Sequence, residues 1–351
     1  MPAPTIRDVA DRAGVGVGTV SRVLNDSPRV DPATRQRVLR AIAELDYVPS
    51  AAARRLSTGR TGAVGVVVPF MTRPSVVERL RGVEAALAPT PFDLVVFNVE
   101  TPERRESVIR NLAHRARVDG LIIVSLSPRA SEVARIARTG IPAVLVDGHH
   151  RALSRVVVDD VAGGRMATRY LVGLGHRRIG FLGDDPRTRF KYSPSRLRRV
   201  GVTRELRAHG LDLDPACVRT GGFRETARRI AVELLRLETP PSAVICGSDV
   251  EALGVLEAAR EVGIAVPTEL SVVGYDDIEI ARDLGLTTVR QPLVESGRRG
   301  AELLLAELDG AETRPVREVL PVELVVRSTT GPPGGATGPA RPPSAHQGGG
   351  S

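Results

Sequence analysis

Between residues 62 and 330 the chain repeats one pattern, a short apolar run followed by a longer stretch of helical periodicity. The runs are Val64 to Val68, Leu94 to Phe97, Leu121 to Val124, Ala143 to Val146, Val156 to Val158, Ile179 to Leu182, Ala243 to Ile245 and Ser271 to Val273. Runs so short and so apolar read as strands buried on both faces, and strands alternating with helices imply parallel sheets covered by their own crossovers. Val76 to Leu87 and Gly163 to Leu174 have the length of such crossovers. No internal repeat accompanies the pattern. With 351 residues, 42% of them hydrophobic, the chain suits two or three folded units.

Residues 1–60 differ in kind, with no strand-like run and three compact helical patterns. Thr5, followed three residues later by Asp8, can cap a helix whose apolar face is Ile6, Val9, Ala10 and Ala13. Gly14 then ends it, being free to take positive φ. A second helix from about Val17 to Asn25 turns Val20, Val23 and Leu24 inward. It leaves Val17, Gly18, Thr19, Ser21 and Arg22 outward, small or basic as a helix entering a major groove requires. Asp31 as cap with Pro32 at the first helical position starts a third helix, whose Val38, Ile42 and Leu45 close the core. Ten arginines, no lysine and six acidic residues give this segment a formal charge of +4, half the chain's +8. Such concentration suits a polyanion-binding head, because phosphate contacts supply most non-specific affinity for nucleic acid.

Several function classes lose ground here. No apolar run approaches the roughly 20 residues that span a bilayer, and Met1 to Ile6 lacks the basic-then-apolar order of a secretory leader, so a cytoplasmic, nucleoid-associated protein without a membrane partner is expected. Cys217 and Cys246 have neither disulfide-framework nor metal-ligand spacing and read as packing residues. No GxSxG, Walker motif or His/Cys ligand set is present, so neither a catalytic residue, a metal nor a cofactor is expected. Gly163 and Gly164 ahead of a helix are only a weak nucleotide-loop signal. Residues 331–351, GPPGGATGPARPPSAHQGGGS, are too rich in Gly and Pro to form a core and read as a disordered tail.

The string TIRDVADRAGVGVGTVSRVLNDSPRVDPATRQRVLRAIAELDYVPSAAARRLSTGRT closely resembles the head of the lactose-repressor (LacI) family. The resemblance implies a helix-turn-helix domain over 1–49 and a hinge over 50–61. It implies further that Val17, Gly18 and Arg22 face base edges while Thr19, Ser21 and Asn25 meet phosphates, with Thr5 and Arg54 also at the DNA. Leu56 from each of two subunits would wedge open a central base step from the minor groove, a role that an apolar side chain flanked by Arg54 and Arg55 suits. An Ala-rich turn or two, as in Ser50 to Ser57, is too short to hold a helix alone. Arg22 can contact guanine O6 and N7 together, and Val17 can meet a thymine methyl. Gly16 stands where the family usually has a capping serine, and Gly18 offers no side chain.

In open parallel sheets ligands bind beyond the carboxyl ends of the strands, which points to Phe70, Asn98, Ser125, Asp147, Asp184, Ser248, Asp249, Asp276 and Asp277. Asp and Ser also begin loops and cap helices routinely. The strings VDGLIIVS, GIPAVLVD, LGHRRIGFLGD, ELSVVGYDDIEIA and LTTVRQP make the body similar to periplasmic sugar-binding proteins. That implies two parallel-sheet subdomains, about 62–158 with 290–320 and 159–289 with 321–330, and Phe70, Asp147, Arg198, Phe223, Ser248, Asp249, Asp276 and Gln291 as contacts to a sugar-like effector. Arg198 could clasp two adjacent hydroxyls and Phe223 could stack on a sugar face. The family's aromatics after the first strand are absent: the run is Phe70, Met71, Thr72, Arg73, Pro74. With 3% aromatic residues, stacking is thin, and a phosphorylated ligand meeting Arg73 is a second reading. His176 is expected to be structural, and His149 and His150 to lie on a solvated loop.

The expected protein is a repressor of carbohydrate uptake or metabolism genes, binding palindromic operator DNA as a homodimer or tetramer under effector control. A plain solute-binding protein does not explain the head, and an enzyme lacks its catalytic constellation. Replacing Arg22 with Ala is expected to remove about 1 to 3 kcal/mol of discrimination at one base pair per half-site, read by titrating inverted-repeat duplexes with single substitutions.

Overall fold

The computed structural model describes residues 4–25, 27–47, 60–115, 117–184, 193–310 and 314–335. In the head, α1 (Ile6–Ala13), α2 (Val17–Leu24) and α3 (Pro32–Glu44) pack around Val9, Ala10, Val20, Val23, Val38 and Ala41. Ile42 and Leu45, expected in that core, lie at its edge, and Tyr47 closes it from beyond α3. Thr5 and Asp8 form a reciprocal capping box, with the Thr5 amide and hydroxyl each 2.7 Å from Asp8 Oδ2. Those hydrogen bonds hold the Asp8 carboxyl below its usual pKa. Asp31 caps α3 through the Thr34 amide, whereas Gly16 offers α2 no side-chain cap.

The body is two six-stranded sheets. The first has the order β11-β5-β4-β3-β1-β2, from β1 (Ala63–Pro69), β2 (Asp93–Val99), β3 (Gly120–Val124), β4 (Ala143–Val146), β5 (Ser154–Val158) and β11 (Arg317–Leu320). The second has the order β12-β10-β9-β8-β6-β7, from β6 (Ile179–Gly183), β7 (Val218–Thr220), β8 (Ala243–Cys246), β9 (Ser271–Asp276), β10 (Thr287–Arg290) and β12 (Glu323–Val325). Every pairing is parallel except β10 with β12. The fully apolar runs became the central strands, buried throughout. Strands β7, β10, β11 and β12 escaped sequence reading because they are three or four residues long and carry Arg, Glu or Thr.

Helices α4 (Pro74–Leu87) and α12 (Leu293–Leu308) cover one face of the first sheet, and α5 (Pro102–Arg115) and α6 (Ala130–Thr139) the other. The second sheet lies between α7 (Asp160–Gly173) with α8 (Ser193–Ala208) and α9 (Arg224–Leu235) with α10 (Asp249–Val262), while the short α11 (Glu279–Asp283) follows β9. The chain passes between the sheets three times, from β5 to α7, from β10 to α12 and from β11 to β12. Three helix pairs cross at glycines with no room for a side chain, α9 and α10 at Gly254 and the two that carry buried arginines. A Cβ on Gly297 of α12 would lie 2.0 Å from the Arg79 carbonyl of α4, and one on Gly164 of α7 would lie 2.1 Å from the Arg198 carbonyl of α8. Gly163 and Gly164 are therefore packing residues inside α7, the former pressed on Tyr275 Oη, and not the start of a nucleotide loop.

Residues 331–335, expected to open the tail, are held to the body, and residues 336–351 lie outside the described residues. The Gly331 amide donates to Ser271 Oγ, its carbonyl lies 2.9 Å from His176 Nε2, and Pro333–Gly335 forms a 3-10 turn. Composition could not reveal this anchor, because the partners lie on β9 and before β6. A carbonyl only accepts, so Nε2 of His176 carries the proton and Nδ1 accepts from the Ser242 hydroxyl at 2.8 Å. His149 and His150 sit half-buried rather than fully solvated. Both cysteines are buried and free.

Burial holds the His176 pKa below its ordinary value of 6.5, against the raising effect of the Gly331 carbonyl. The neutral ring is the folded form, so its contribution is complete above 6.5 and is lost as pH falls through the lowered folded value. Replacing His176 with Ala is expected to cost about 2 to 4 kcal/mol in urea denaturation at pH 8, with the difference from the native protein shrinking as pH drops below its unfolded value.

Candidate functional site

On the head, Val17, Gly18 and Arg22 are exposed on one side of α2, with Val17 at 41%. Thr19 and Ser21 are half-buried beside them, and exposed Asn25 approaches Ser21 Oγ at 3.5 Å. No heavy atom lies within 4 Å of a Cβ built on Gly16 or Gly18, so this face is bare as well as open. The Thr5 hydroxyl is committed to its capping box. Arg54 and Leu56, and the hinge with them, lie outside the described residues.

The body forms a cleft between its two sheets, floored by a chain of buried charges. Arg79, on α4, donates from one amino group to Asp147 Oδ2 and Gln291 Oε1, both at 3.1 Å. Gln291 Nε2 donates onward to Asp276 Oδ1 at 2.5 Å, and Arg198 reaches the same Asp276 oxygen at 3.7 Å. Arg198 Nε is 2.8 Å from Asp160 Oδ1, its Nη1 donates to the Gly247 carbonyl, and its guanidinium carbon lies 3.6 Å from the centre of the Tyr275 ring. Ser125 Oγ completes the chain by donating to Asp147 at 2.9 Å. Arg79, Asp147, Asp160, Arg198, Asp276 and Gln291 are all buried.

Desolvation is the largest influence on Asp160, Asp276 and Arg198. Burial pushes Asp160 up to about 6 despite the adjacent Arg198. It raises Asp276 too, against Arg198 and Arg79. For Arg198 burial opposes the charge, but Asp160, Tyr275, Asp276 and Asp147 together more than offset it, so the cation is held firmly.

Backbone strain collects at the same place. Phe70, Ser125, Asp147, Asp276 and Asp277 all have positive φ, between 47° and 118°, and each ends a strand or follows one directly. For residues with a Cβ this is uncommon and costs about 1 to 3 kcal/mol each. The turn ends each strand abruptly at the edge of the cleft.

Of the expected contacts, Asp147, Arg198, Ser248, Asp276 and Gln291 line one cavity. Phe70 and Phe223 do not: their rings meet edge to face at the cleft mouth, with centroids 5.1 Å apart. Phe223, expected to stack on a sugar face, is 47% exposed and turned to Phe70. Asp249 lies beneath the cleft, fully buried, accepting from Thr288 Oγ1 and the Ile278 amide. It is spent on joining α10 to β10 and to the connection between β9 and α11. Asn98 is half-buried and accepts from the Met71 amide, outside the cavity. Sequence reasoning missed Arg79, Asp160 and Ser195. Arg79 left a signal, an arginine three residues after Val76 and four before Val83, on an otherwise apolar helix face. Asp160 and Ser195 left none, since acids and serines near helix starts are ordinary caps.

A helix-turn-helix head joined to a two-lobed, parallel-sheet body with a polar interlobe cleft is the build of a ligand-responsive, DNA-binding regulator. Residues 168–330 match the periplasmic binding protein-like domain, and residues 5–50 match the bacterial regulatory proteins of the lacI family. The chain is 36% identical over 338 residues to the HTH-type transcriptional regulator CelR of Thermobifida fusca, covering 93% of this chain and 98% of that one. A CelR–cellobiose complex is similar with a TM-score of 0.69 at 34% identity, covering 93% and 99% of the two chains. A lac repressor dimer bound to operator and the anti-inducer ONPF is similar with a TM-score of 0.81 at 28% identity, covering 94% and 100%. The chain belongs to the lacI family and is a transcriptional regulator.

Replacing Arg198 with Met leaves Asp160 buried without its countercharge and is expected to cost about 3 to 5 kcal/mol by urea denaturation. Adding Asp160→Asn should recover a large part of that loss. A double variant no more stable than the single one contradicts the pairing.

Proposed function

We propose that the protein represses carbohydrate uptake or metabolism genes by binding a palindromic operator as a dimer, and that a small polyhydroxylated effector in the cleft controls that binding. The observation that carries the effector reading is the row of buried donors and acceptors along the cleft floor, with Asp147, Arg198, Ser248, Asp276 and Gln291 facing one space. Such a set suits a neutral ligand rich in hydroxyls, because each charge already has an opposite partner. The phosphorylated-ligand reading is weaker, since Arg73 is engaged by Asp184 and the Gly222 carbonyl. CelR in complex with cellobiose supports a sugar-like ligand.

At the other end, Val17 and Arg22 read bases while Thr19, Ser21 and Asn25 meet phosphates, and Leu56 with Arg54 works in the minor groove. The two sites are coupled through the start of the body. Both carboxylate oxygens of Asp119, just before β3, accept backbone amides at 2.7 Å, from Thr61 and Gly62, and Arg60 reaches the Leu308 carbonyl at the end of α12. Movement of the first lobe is thereby passed to the residues that leave the hinge, giving two sites and one bistable element between them. Among the described residues no helix is long and apolar enough to cross a membrane. A regulator that acts on operator DNA acts in the bacterial cytoplasm, on the nucleoid.

Binding to inverted-repeat and scrambled duplexes at several salt concentrations tests the operator reading. The expected result is tight binding to the repeat alone, with a steep salt dependence. Equal affinity for both duplexes would sink it. Leu56→Ala is expected to reduce both affinity and DNA bending, and an unchanged bend contradicts the wedge.

A further inference from the structure

The two faces of the second sheet are charged very differently. Helices α7 and α8, which cover one face, carry seven arginines and no lysine against two acids, Asp160 and Glu205. Asp160 is spent on Arg198 inside the cleft. Glu205 is buried under the helix surface and serves two cations at once, one carboxylate oxygen accepting from Arg165 Nε and the other from Arg169 Nε, both at 2.7 Å, while both arginines stay exposed. Val202, Glu205 and Leu206 occupy the inward half of α8, so Arg199, Arg204 and Arg207 fall on its outward half. Arg207 meets Asp212 at 3.4 Å in a pair almost wholly open to water, which neutralises it little. Arg199 and Arg204 have no acidic partner among the described residues. On the opposite face of the same sheet, α9 and α10 carry four arginines against six acids, and Arg224 and Arg228 are paired with Glu257, Glu225 and Glu261. The pairs α4 with α12 and α5 with α6 also carry a smaller excess than α7 with α8.

We infer that the outward face of α7 and α8 is a second, sequence-independent contact to duplex DNA, separate from the helix-turn-helix head. A protein partner of ordinary affinity needs an apolar centre to its interface, with charge confined to the rim. This face has none, because no large hydrophobic side chain exposed among the described residues belongs to α7 or α8. A phosphate backbone asks only for cations that can approach it, and binding releases the counterions condensed on the duplex. Arginine suits that task better than lysine, since its forked donors match two phosphate oxygens together. Arg199 and Arg207 are eight residues apart on α8, hence about 12 Å along its axis, a length over which a duplex presents about seven charges. Contacts of this kind add affinity and carry no base discrimination, so the face holds DNA without reading it.

Binding of the full chain to a random-sequence duplex several helical turns long, followed by fluorescence anisotropy across a range of salt concentrations, tests the inference. Arg199→Gln, Arg204→Gln and Arg207→Gln together are expected to reduce the slope of log affinity against log salt by about 2 to 3 and to weaken binding about 10- to 100-fold at low salt. Arg199→Lys, Arg204→Lys and Arg207→Lys keep the charge and should restore most of the slope. A matched set on the other face, Arg229→Gln, Arg236→Gln and Arg260→Gln, removes the same net charge and should leave the slope near that of the native protein. Equal slopes for the native protein and the α8 variant overturn the inference. An equal loss in the matched set also overturns it, by assigning the effect to net charge. If the α8 variant loses affinity for polyglutamate and none for the duplex, the partner is an acidic protein and the DNA assignment falls. The duplex contains no inverted repeat, so the outcome is independent of whether the operator reading holds.

Discussion

Burying a charge without a partner costs several kcal/mol, and the centre of this protein buries six polar or charged side chains in one chain of contacts from Asp160 to Asp147. None can be removed without stranding the next. The chain also crosses between the lobes, since Gln291 lies in the β10–α12 connection and binds Asp276 on one side and Arg79 on the other. The floor of the cleft is therefore the interlobe connection as well, and a ligand competing for Asp276 or Gln291 acts on the relation between the lobes directly.

The two arginines of that chain are mounted alike. Arg79 and Arg198 each sit where two helices cross so closely that the facing residue has to be glycine, Gly297 in one lobe and Gly164 in the other. The crossing fixes the backbone of each arginine, and the paired carboxylate fixes its head group. Strand ends with left-handed backbone at Asp147 and Asp276 face Arg79 and Arg198 from the opposite side. Backbone strain at these points persists because the surrounding sheets over-determine it, which is the ordinary condition for strained residues at a binding site.

Asp119 spends both carboxylate oxygens on the amides of Thr61 and Gly62, so the start of the body is held to the edge of β1 and β3. The head is stabilised independently by its own small core and two side-chain caps. On the proposed reading, an effector acts through the first residues of the body and leaves the head's own fold unchanged.

Periodicity in the chain was enough to determine the three-helix head with its Thr5 and Asp31 caps, the central parallel strands, and the carboxyl ends of those strands as the place to look for a ligand. Local patterning carries that information because helix caps and buried strands are decided by nearest neighbours. Family likeness added Arg198 and Gln291, which no spacing rule singles out. Tertiary structure alone decided the rest. It sent Asp249 into the core, because Thr288 and the Ile278 amide arrive from other elements to satisfy it. It turned Phe223 onto Phe70 instead of into the cleft, and drew Gly331 out of an apparently coreless tail onto His176. In each case the deciding partner lies on a different element, tens of residues or more away, and a polar or aromatic side chain takes whichever partner the completed fold places within reach.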